Sequence, residues 1–365
     1  PQVGTPTLRE LCGYPHGKSP KYGTAYEHFG GGETGKEACE AIDSLCEYSS
    51  VSTLLNTFII PLQEMVDNNN RIHASMNINT ETGRLSCRRP NLQNQPALEK
   101  DRYKIRSSFT AEKGNKLIVA DYGQLELRLL AHITKCKSML DAFTKGGDFH
   151  SRTAIGMYPE IAKAVENKEV ILEWDYSKGE PPAPLIKDVY GTERRRAKVL
   201  NFSIAYGKTA MGLAKDWGVS KEEAQKTLDL WYADRPEVLK WQEDTIGKAS
   251  RTGYTETLMG RLRHLPDVNS RSRPRRNHAR RAAINTPLQG GAADVVMCAM
   301  IRVNNHQRLK DLGWKMLLQI HDELVLEGPE EHAEEALKIV DTEMGKHPPN
   351  TPLLIDLIVS ASICD

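Results

Sequence analysis

Two aspartates follow short apolar runs in widely separated parts of the chain. Asp121 directly follows the run LIVA, and Asp322 lies in the run MLLQIHDEL. Two carboxylates brought together at strand ends repel each other unless cations lie between them. Oxygen ligands with room for water and phosphate suit Mg²⁺, so the pair predicts a magnesium site. Taken alone, Asp121 with Gln124 favours a helix capping box.

The corner that carries Asp322 favours the metal interpretation. It reads His321-Asp322-Glu323, whereas a simple tight hairpin prefers Asn-Gly or Asp-Gly. Three polar side chains without a glycine are therefore more typical of a site than of a plain turn.

A stripe of four side chains could bind a nucleotide. Arg194, Lys198, Phe202 and Tyr206 recur every four residues in a helical segment and lie near one face of that helix. Two cations followed by two aromatics fit a triphosphate at one end and a base and sugar at the other. A solvated basic turn followed by two core aromatics would give the same pattern.

A basic segment begins at Arg261 and ends at Arg281. It contains a single acid, Asp267, and eight arginines: Arg261, Arg263, Arg271, Arg273, Arg275, Arg276, Arg280 and Arg281. Such a concentration suits phosphate backbones, although charge runs are also typical of exposed loops. Asn285 and Gln289, four residues apart in the next helix, could reach base edges in a minor groove.

The elements that must position these residues form a small sheet with a large helical insertion. Strands are predicted over 116–121, 315–320 and 323–327, and most of the chain between the first two is helical. The remaining predictions are an irregular lead-in over 1–36, two short helices over 37–64, helices over 124–132, 194–215, 221–250, 276–312 and 329–345, a hairpin or loop over 254–266 and a closing strand over 353–360.

Composition excludes several classes of protein. The 365 residues are 39% hydrophobic and 27% charged with a net charge of +1, so a membrane span and a polycationic chain are not expected. Seven scattered cysteines predict reduced thiols in an intracellular compartment. The run GGGETGK from Gly30 resembles a phosphate-binding loop, but Glu37 replaces the required Ser or Thr, so a flexible loop is predicted. The start without Met predicts a fragment or a processed chain.

Together these motifs resemble the family A (DNA polymerase I-like) DNA polymerases. The run DYGQLE from Asp121 resembles motif A of that family, RRRAKVLNFSIAYG from Arg194 resembles motif B, and HDE from His321 resembles motif C. The runs TGRLS from Thr82 and PNLQN from Pro90 match the family as well.

The resemblance covers about residues 37–360 and includes the stretch from Arg281 to Gln289. The wording RRPNLQNQP from Arg88 and LNFSIAY from Leu200, with an insertion at 164–191, is similar to the plant and protist organellar members. It implies a mitochondrial or plastid location, and no targeting segment is expected in this chain.

The resemblance implies an α+β, right-hand polymerase fold with an antiparallel palm sheet, inserted helical fingers and a shortened N-terminal thumb. Residues 1–70 would be a thumb remnant and irregular lead-in, and 71–126 the first part of the palm with motif A. Residues 127–310 would be the fingers with motif B and the insertion, and 311–365 the second part of the palm with motif C.

It also implies a role for each site residue. Asp121 and Asp322 would bind two Mg²⁺ ions that add deoxynucleotides to a primer 3′-hydroxyl with release of pyrophosphate. Lys198 would be the third catalytic residue and would protonate the leaving group. The deoxynucleoside triphosphate would contact Gln124, Glu126, His150, Arg194, Lys198, Phe202 and Tyr206. Primer–template DNA would contact Arg84, Asn94, Arg281, Asn285, Gln289 and His321.

Two residues would set substrate choice. Glu126 resembles the residue that blocks a ribose 2′-hydroxyl, and Phe202, where some relatives have Tyr, would favour deoxy- over dideoxynucleotides. The resemblance implies a monomer that works on DNA without contacting a membrane.

Three alternatives remain from the sequence. A single-subunit RNA polymerase shares the two-aspartate palm, but Glu126 and Phe202 argue against it. A non-catalytic DNA-binding module would not need Asp121, Asp322 and Lys198 together. A metal-dependent nuclease could use paired aspartates but would not need the triphosphate stripe.

Overall fold

The computed structural model describes residues 3–17, 19–96, 103–174, 179–205 and 207–365. The chain divides into two compact units. The first unit comprises Pro1–Met76 with Cys87–Phe109, and the second comprises Asn77–Ser86 with Thr110–Asp365.

The N-terminal part is mostly helical. Its elements, in chain order, are α1 (Thr5–Cys12), β1 (Gly13–Tyr14), β2 (Lys21–Tyr22), α2 (Thr24–His28), α3 (Gly32–Leu54), a π-helical turn (Leu55–Ile59) and α4 (Ile60–Glu64). Short strands β3 (Ser75–Asn77) and β4 (Ser86–Arg88) and 3₁₀ turns (Leu92–Asn94 and Arg106–Ser108) follow.

The prediction of an irregular lead-in over 1–36 was wrong. The segment 37–64 is helical as predicted, but it consists of the long helix α3, a π-helical turn and α4 rather than two short helices. Helix α3 begins at Gly32, so most of the run predicted to be a flexible loop is helical, and Lys36 pairs with Glu33 at 3.1 Å. The core of this unit contains Cys12, Cys39 and Cys46. Because the buried positions hold small residues rather than Leu or Ile, the apolar periodicity is too weak to predict the helices.

The second unit contains a sheet and many helices. In chain order, its elements are β5 (Asn115–Tyr122), α5 (Leu125–Thr134), α6 (Lys137–Lys145), α7 (Phe149–Met157), α8 (Pro159–Glu166), α9 (Ile186–Val189), α10 (Gly191–Ala205), α11 (Ala210–Trp217), α12 (Lys221–Asp234) and α13 (Pro236–Thr252). They continue with β6 (Tyr254–Glu256), β7 (Leu262–His264), α14 (Arg273–Asn285), a π-helical turn (Thr286–Gly290), α15 (Gly291–Asn305), α16 (Gln307–Asp311), β8 (Lys315–Ile320), β9 (Glu323–Pro329), a 3₁₀ turn (Glu330–His332), α17 (Ala333–Gly345) and β10 (Val359–Cys364).

The sheet has the order β10-β5-β9-β8 with antiparallel neighbours. The predicted pairing of the 116–121 and 323–327 strands is confirmed, as is the hairpin over 254–266. The closing strand is 359–364 rather than 353–360. Leu353, Ile355 and Leu357 alternate like a strand because they enter the core of the sheet, but they form no strand of it.

Helix α5 joins two hydrophobic cores within this unit. Leu125 and Leu129 pack in the core that covers the sheet, whereas Leu127 and Leu130 pack in the core of the inserted helices. Residues three or four apart share a helix face, so one helix fixes both cores directly after Asp121.

The long predicted helices are interrupted where the sequence supplies breakers. Pro236 begins α13, and Thr209 caps α11 by accepting a hydrogen bond from the Gly212 amide. Pro287 lies in the π-helical turn between α14 and α15.

The segment predicted as an insertion links α8 to α10 with little regular structure. Ile171 pairs with Leu185 in a parallel bridge, and the Ile186 amide donates to the Ile171 carbonyl at 3.0 Å. Both ends are held in the core because Val170 and Ile186 are buried. None of the helices in the described ranges is long and apolar enough to cross a membrane.

Candidate active site

The fold brings the two predicted metal-binding aspartates to adjacent strand ends of the second unit. Asp121, near the end of β5, is opposite Glu323 of β9 in the antiparallel register. The Tyr122 amide donates to the Asp322 carbonyl at 3.2 Å. Asp121 is exposed and 22% of the Asp322 side chain is exposed, so a ligand can reach both carboxylates.

Both carboxylates are less acidic than usual. Burial raises the pKa of Asp322 to about 6, against the lowering effect of Arg84, and the charges of Glu126 and Asp121 raise it further. Partial desolvation also raises the pKa of Asp121, although a hydrogen bond from the Tyr122 amide lowers it. Two partly desolvated carboxylates whose pKa values are both raised are matched to a cation.

The turn between β8 and β9 is tight although its sequence lacks the usual glycine. Ile320 pairs with Glu323, so His321 and Asp322 form a two-residue turn. His321 has φ +54°, in the region of positive φ that favours glycine. This backbone leaves the His321 side chain exposed next to the carboxylates.

Arg84 links the carboxylates to Glu126. Its guanidinium donates to Glu126 Oε1 at 2.5 Å and lies 3.7 Å from Asp322 Oδ1. Glu126 is buried on the first turn of α5. Arg84 therefore contacts both an expected sugar-selecting residue and an expected metal ligand, which the sequence alone did not indicate.

The capping-box interpretation of Asp121 with Gln124 was wrong. Gln124 is itself the residue before α5, it has φ +56°, and no side chain caps this helix. Among the residues that the structure describes, the buried Gln124 Oε1 has no hydrogen-bond partner. A buried carbonyl oxygen without a donor is costly, which suits a position that a ligand completes.

The predicted cationic stripe lies on α10. Lys198 and Phe202 are exposed, and Tyr206 lies outside the described residues. Arg194 is held by Asp148, whose carboxylate accepts hydrogen bonds from Arg194 Nε at 2.6 Å and from Arg194 Nη2 at 3.2 Å. This paired geometry fixes the guanidinium plane.

The sequence analysis did not single out Asp148, although the sequence carries a signal for it. It precedes α7 and accepts from the His150 amide at 3.1 Å and the Ser151 hydroxyl at 2.5 Å, as a helix cap does. Burial raises the pKa of Asp148, but Arg194 and Ser151 together hold it below its usual value. A capping residue was predictable here, but its contact with Arg194 was not.

His150 lies beside this stripe, as its expected role requires. Its ring is buried and packs against Phe202 with 5.7 Å between ring centroids. Burial lowers its pKa to about 4, Asp148 opposes this shift, and the nearby charges of Arg194 and Lys198 add to it. The imidazole is therefore neutral near pH 7.

Three of the expected DNA-contacting residues share one segment. Arg281 and Asn285 lie on α14, and Gln289 lies in the following π-helical turn. Asn285 Nδ2 donates to Gln289 Oε1 at 3.5 Å, and Asn285 Oδ1 has no hydrogen-bond partner within the described ranges. Asn94 is exposed at the end of a 3₁₀ turn in the first unit.

The basic segment contains both structural and exposed arginines. Arg261 donates to the Thr82 carbonyl at 2.9 Å and to Asp294 at 2.8 Å, so it stabilises the fold. Arg271, Arg273 and Arg275 are exposed before and at the start of α14, and Arg281 is exposed farther along it. Much of the exposed positive charge of this segment therefore lies near the N-terminal end of that helix.

The metal-binding capacity of the site rests on its two aspartates. No group of three or more His, Cys, Asp or Glu side chains arranged to hold a metal occurs in the parts of the chain described. Two carboxylates with room for water and phosphate oxygens are nevertheless the donors that Mg²⁺ prefers. The donor set therefore fits ions that share their coordination with a substrate.

An antiparallel sheet with paired carboxylates, interrupted by helices that carry a cationic stripe, is the arrangement typical of nucleotide polymerase domains. The family model described as DNA polymerase family A matches residues 19–169 and 183–365. The chain belongs to this family. Of the unmatched residues, 170–182 fall within the segment predicted as an insertion, and 1–18 precede the matched range.

The similar proteins support this membership. The chain is 64% identical to DNA polymerase I B, chloroplastic/mitochondrial, of Arabidopsis thaliana over 87% of this chain and 31% of that protein. It is 59% identical to DNA polymerase I A, chloroplastic, of Oryza sativa subsp. japonica over 93% of this chain and 33% of that protein. The chain thus spans about a third of the length of these plant relatives.

A solved structure confirms the fold. The POL domain of Pol1 from M. smegmatis, in complex with DNA primer-template and dNTP, superposes with a TM-score of 0.75 at 31% identity. The match covers 99% of this chain and 60% of that chain. The predicted α+β polymerase fold and the resemblance to organellar family A members are both confirmed.

Proposed function

We propose that this chain is the polymerase part of a template-directed DNA polymerase. It would add deoxynucleotides to a primer 3′-hydroxyl and release pyrophosphate. The observation that carries the proposal is that Asp121 and Asp322 lie at adjacent strand ends of one sheet. Helix α10, which carries the cationic stripe, lies between the strands β5 and β8 in the chain. Relatives named as DNA polymerases and a neighbour bound to primer-template and dNTP support it.

We assign polymerase subdomains to the chain on the same basis. Residues 71–126 and 311–365 would be the palm, 127–310 the fingers with the insertion at 164–191, and 1–70 a remnant of the thumb. The sheet strands β5, β8, β9 and β10 fall in the two palm segments, and α10 falls in the fingers segment. This assignment gives each conserved task of a polymerase its own part of the chain.

Asp121 and Asp322 would hold two Mg²⁺ ions. When bound, such ions acidify an attacking hydroxyl and stabilise the charge on the transferred and leaving phosphates. The carboxylates suit this task because burial raises the pKa of each, so a bound cation would stabilise their ionised forms.

The α10 stripe would bind the triphosphate. Arg194, already oriented by Asp148, and the exposed Lys198 would neutralise the β- and γ-phosphates. Lys198 would also give a proton to the leaving pyrophosphate. Phe202 would pack on the sugar and base, and the expected role of Tyr206 at the templating position belongs to the same proposal.

Glu126 would exclude a ribose 2′-hydroxyl. Its carboxylate is buried and held by Arg84, so it has little freedom to move away from a larger sugar. Gln124, with its buried carbonyl oxygen, would complete the nucleotide site beside it. This placement supports a DNA rather than an RNA product.

The remaining site residues would contact the primer–template. Arg281, Asn285 and Gln289 would follow the minor groove from one helical segment, because their side chains share a face at a spacing of four residues. His321 and Arg84 would contact DNA close to the carboxylates. Asn94 is a further proposed DNA contact.

The relatives also support a cellular setting. Those from Arabidopsis and rice are named as chloroplastic or mitochondrial. We infer that this chain acts as a monomer in organellar DNA replication or repair.

Primer extension with separate deoxy- and ribonucleotide reactions tests the proposal. Asp121→Asn and Asp322→Asn should each abolish extension, because each removes one charge from the cation site while conserving shape. Asp365→Asn is the matched control, since Asp365 is an exposed carboxylate paired with Lys116 at the far end of β5. Full extension by either active-site variant, or preferred use of ribonucleotides by the wild type, would contradict the proposal.

A further inference from the structure

A chain of buried polar groups lies behind His150. Trp231 Nε1 donates to Asn201 Oδ1 at 2.8 Å, and Asn201 Nδ2 lies 3.1 Å from His150 Nδ1. Asn201 and Trp231 are fully buried. Buried polar groups are stable when each donor faces an acceptor. The donor and acceptor roles along this chain therefore determine the orientation of the Asn201 amide and the tautomer of His150.

The indole sets the direction of the chain. An indole N–H can only donate, so the group of Asn201 that faces Trp231 is the carbonyl oxygen. The amide NH₂ of Asn201 then faces His150, whose Nδ1 must accept. A neutral imidazole that accepts at Nδ1 carries its proton on Nε2.

A second donor-only group fixes the other amide hydrogen. Arg235, which is 2% exposed, donates to Thr153 Oγ1 at 3.0 Å. The Thr153 hydroxyl donates its own proton to the Phe149 carbonyl at 3.0 Å, and its oxygen accepts from Asn201 Nδ2 at 3.0 Å. Reversing the Asn201 amide would place its NH₂ against the indole N–H, where neither group can accept a hydrogen bond.

The charges around His150 keep the ring neutral. Burial lowers its pKa to about 4; Asp148 acts to raise the pKa, whereas Arg194 and Lys198 act to lower it. A neutral ring with Nδ1 occupied offers one N–H, at Nε2. Phosphate oxygens only accept hydrogen bonds, so the other tautomer would present them with a lone pair.

We propose that Asn201, oriented by Trp231, is a positioning residue that holds His150 as its Nε2–H tautomer for donation to a bound polyphosphate. The tautomer follows from the contacts alone, whereas its use in binding rests on the proposed function of the Arg194 and Lys198 stripe. Asn201 contributes no contact with the nucleotide. It acts on binding only through its hydrogen bond to His150 Nδ1.

Histidine-selective ¹⁵N NMR of the full chain tests the tautomer without any nucleotide. At pH 7, His150 Nδ1 should be unprotonated in the wild type. In Asn201→Asp a carboxylate oxygen replaces the amide NH₂, so Nδ1 should carry a proton. His132 is an internal control, because its Nδ1 accepts from the Leu354 amide at 3.1 Å and should not change between the two proteins.

A protonated Nδ1 on His150 in the wild type would overturn the proposal whether or not the variant folds. An unprotonated Nδ1 in a folded Asn201→Asp protein would overturn it as well. Assignment of the resonance comes from His150→Gln.

Nucleotide binding then separates this proposal from the proposed function. Equilibrium titration with a deoxynucleoside triphosphate on primer–template should give a Kd about tenfold higher for Asn201→Asp than for the wild type, as expected for one altered charge-assisted hydrogen bond. Equal affinities with the tautomer changed would refute the binding role alone. Failure of the wild type to bind any nucleotide would count against the proposed function while the NMR result stands.

Discussion

Replacing Asp148 by Asn should loosen Arg194 while leaving the start of α7 intact. Asp148 accepts two hydrogen bonds from the Arg194 guanidinium, at 2.6 and 3.2 Å, and also caps α7 through the His150 amide. Asn is as good a helix cap as Asp, so Asp148→Asn removes the charge of the pair and conserves the cap. Asp148→Ala removes both.

The size of the effect follows from partial burial. The side chains of Arg194 and Asp148 are 28% and 20% exposed, so the pair is partly buried. Its contribution to stability should lie between that of an exposed ion pair, about 0.2–1 kcal/mol, and that of a buried charge-assisted hydrogen bond, about 1.5–3 kcal/mol. Asp148→Asn should therefore lower the free energy of unfolding by about 1–2 kcal/mol. Asp148→Ala should cost about 1 kcal/mol more, because the cap is lost as well.

The effect should also depend on pH with a definite sign. The Asp148 pKa is depressed in the folded state, so its stabilisation is complete above the unfolded pKa of about 3.9 and is lost as pH falls through the lower folded value. The difference between wild type and Asp148→Asn should be constant from about pH 7 to pH 5 and should narrow below about pH 4.

Urea unfolding followed by tryptophan fluorescence measures these differences. Trp231 is buried in the same helical core as α7 and α10, so the signal reports on the relevant part of the fold. Equal stability of wild type and Asp148→Asn at pH 7 would refute the importance of the pair. A gap that widens below pH 4 would refute the pKa argument.

Three further substitutions test separate contacts. Lys198→Ala should lower the rate of nucleotide incorporation at least about 100-fold in single-turnover assays while changing the free energy of unfolding by less than about 0.5 kcal/mol, because the side chain is exposed. Gly207→Ala should cost about 1–2 kcal/mol in urea unfolding, because Gly207 has φ +66° and an added Cβ would lie 3.3 Å from Arg281 Cγ; an unchanged midpoint would contradict this. Tyr122→Phe should cost about 1 kcal/mol by thermal or urea unfolding, because its buried hydroxyl donates to the Met344 carbonyl at 2.7 Å, and no loss would show the bond to be dispensable.

The paired aspartates were predictable because two short apolar runs and the acid that follows each are visible in the sequence. Asp121 and Asp322 needed no knowledge of distant contacts beyond the pairing of two apolar strands. The α10 stripe was predictable for a similar reason, since a spacing of four residues places side chains near one helix face.

The features that the sequence did not predict depend on long-range packing. The Asp148 contact with Arg194 spans 46 residues, and no local pattern records which cation a helix cap will reach. Gln124 adopts a left-handed backbone that only the junction of β5 and α5 imposes. The first unit is built on small buried residues such as Cys39, which a pattern based on large apolar side chains does not detect.

The most direct test of the central claim is the stoichiometry of pyrophosphate release on a defined primer–template. With Mg²⁺ and one deoxynucleotide at a time, a template-directed polymerase should release one pyrophosphate for each nucleotide added, and only with the nucleotide complementary to the next template base. Pyrophosphate release without primer growth, growth that ignores the template base, or shortening of the primer without addition would contradict the account.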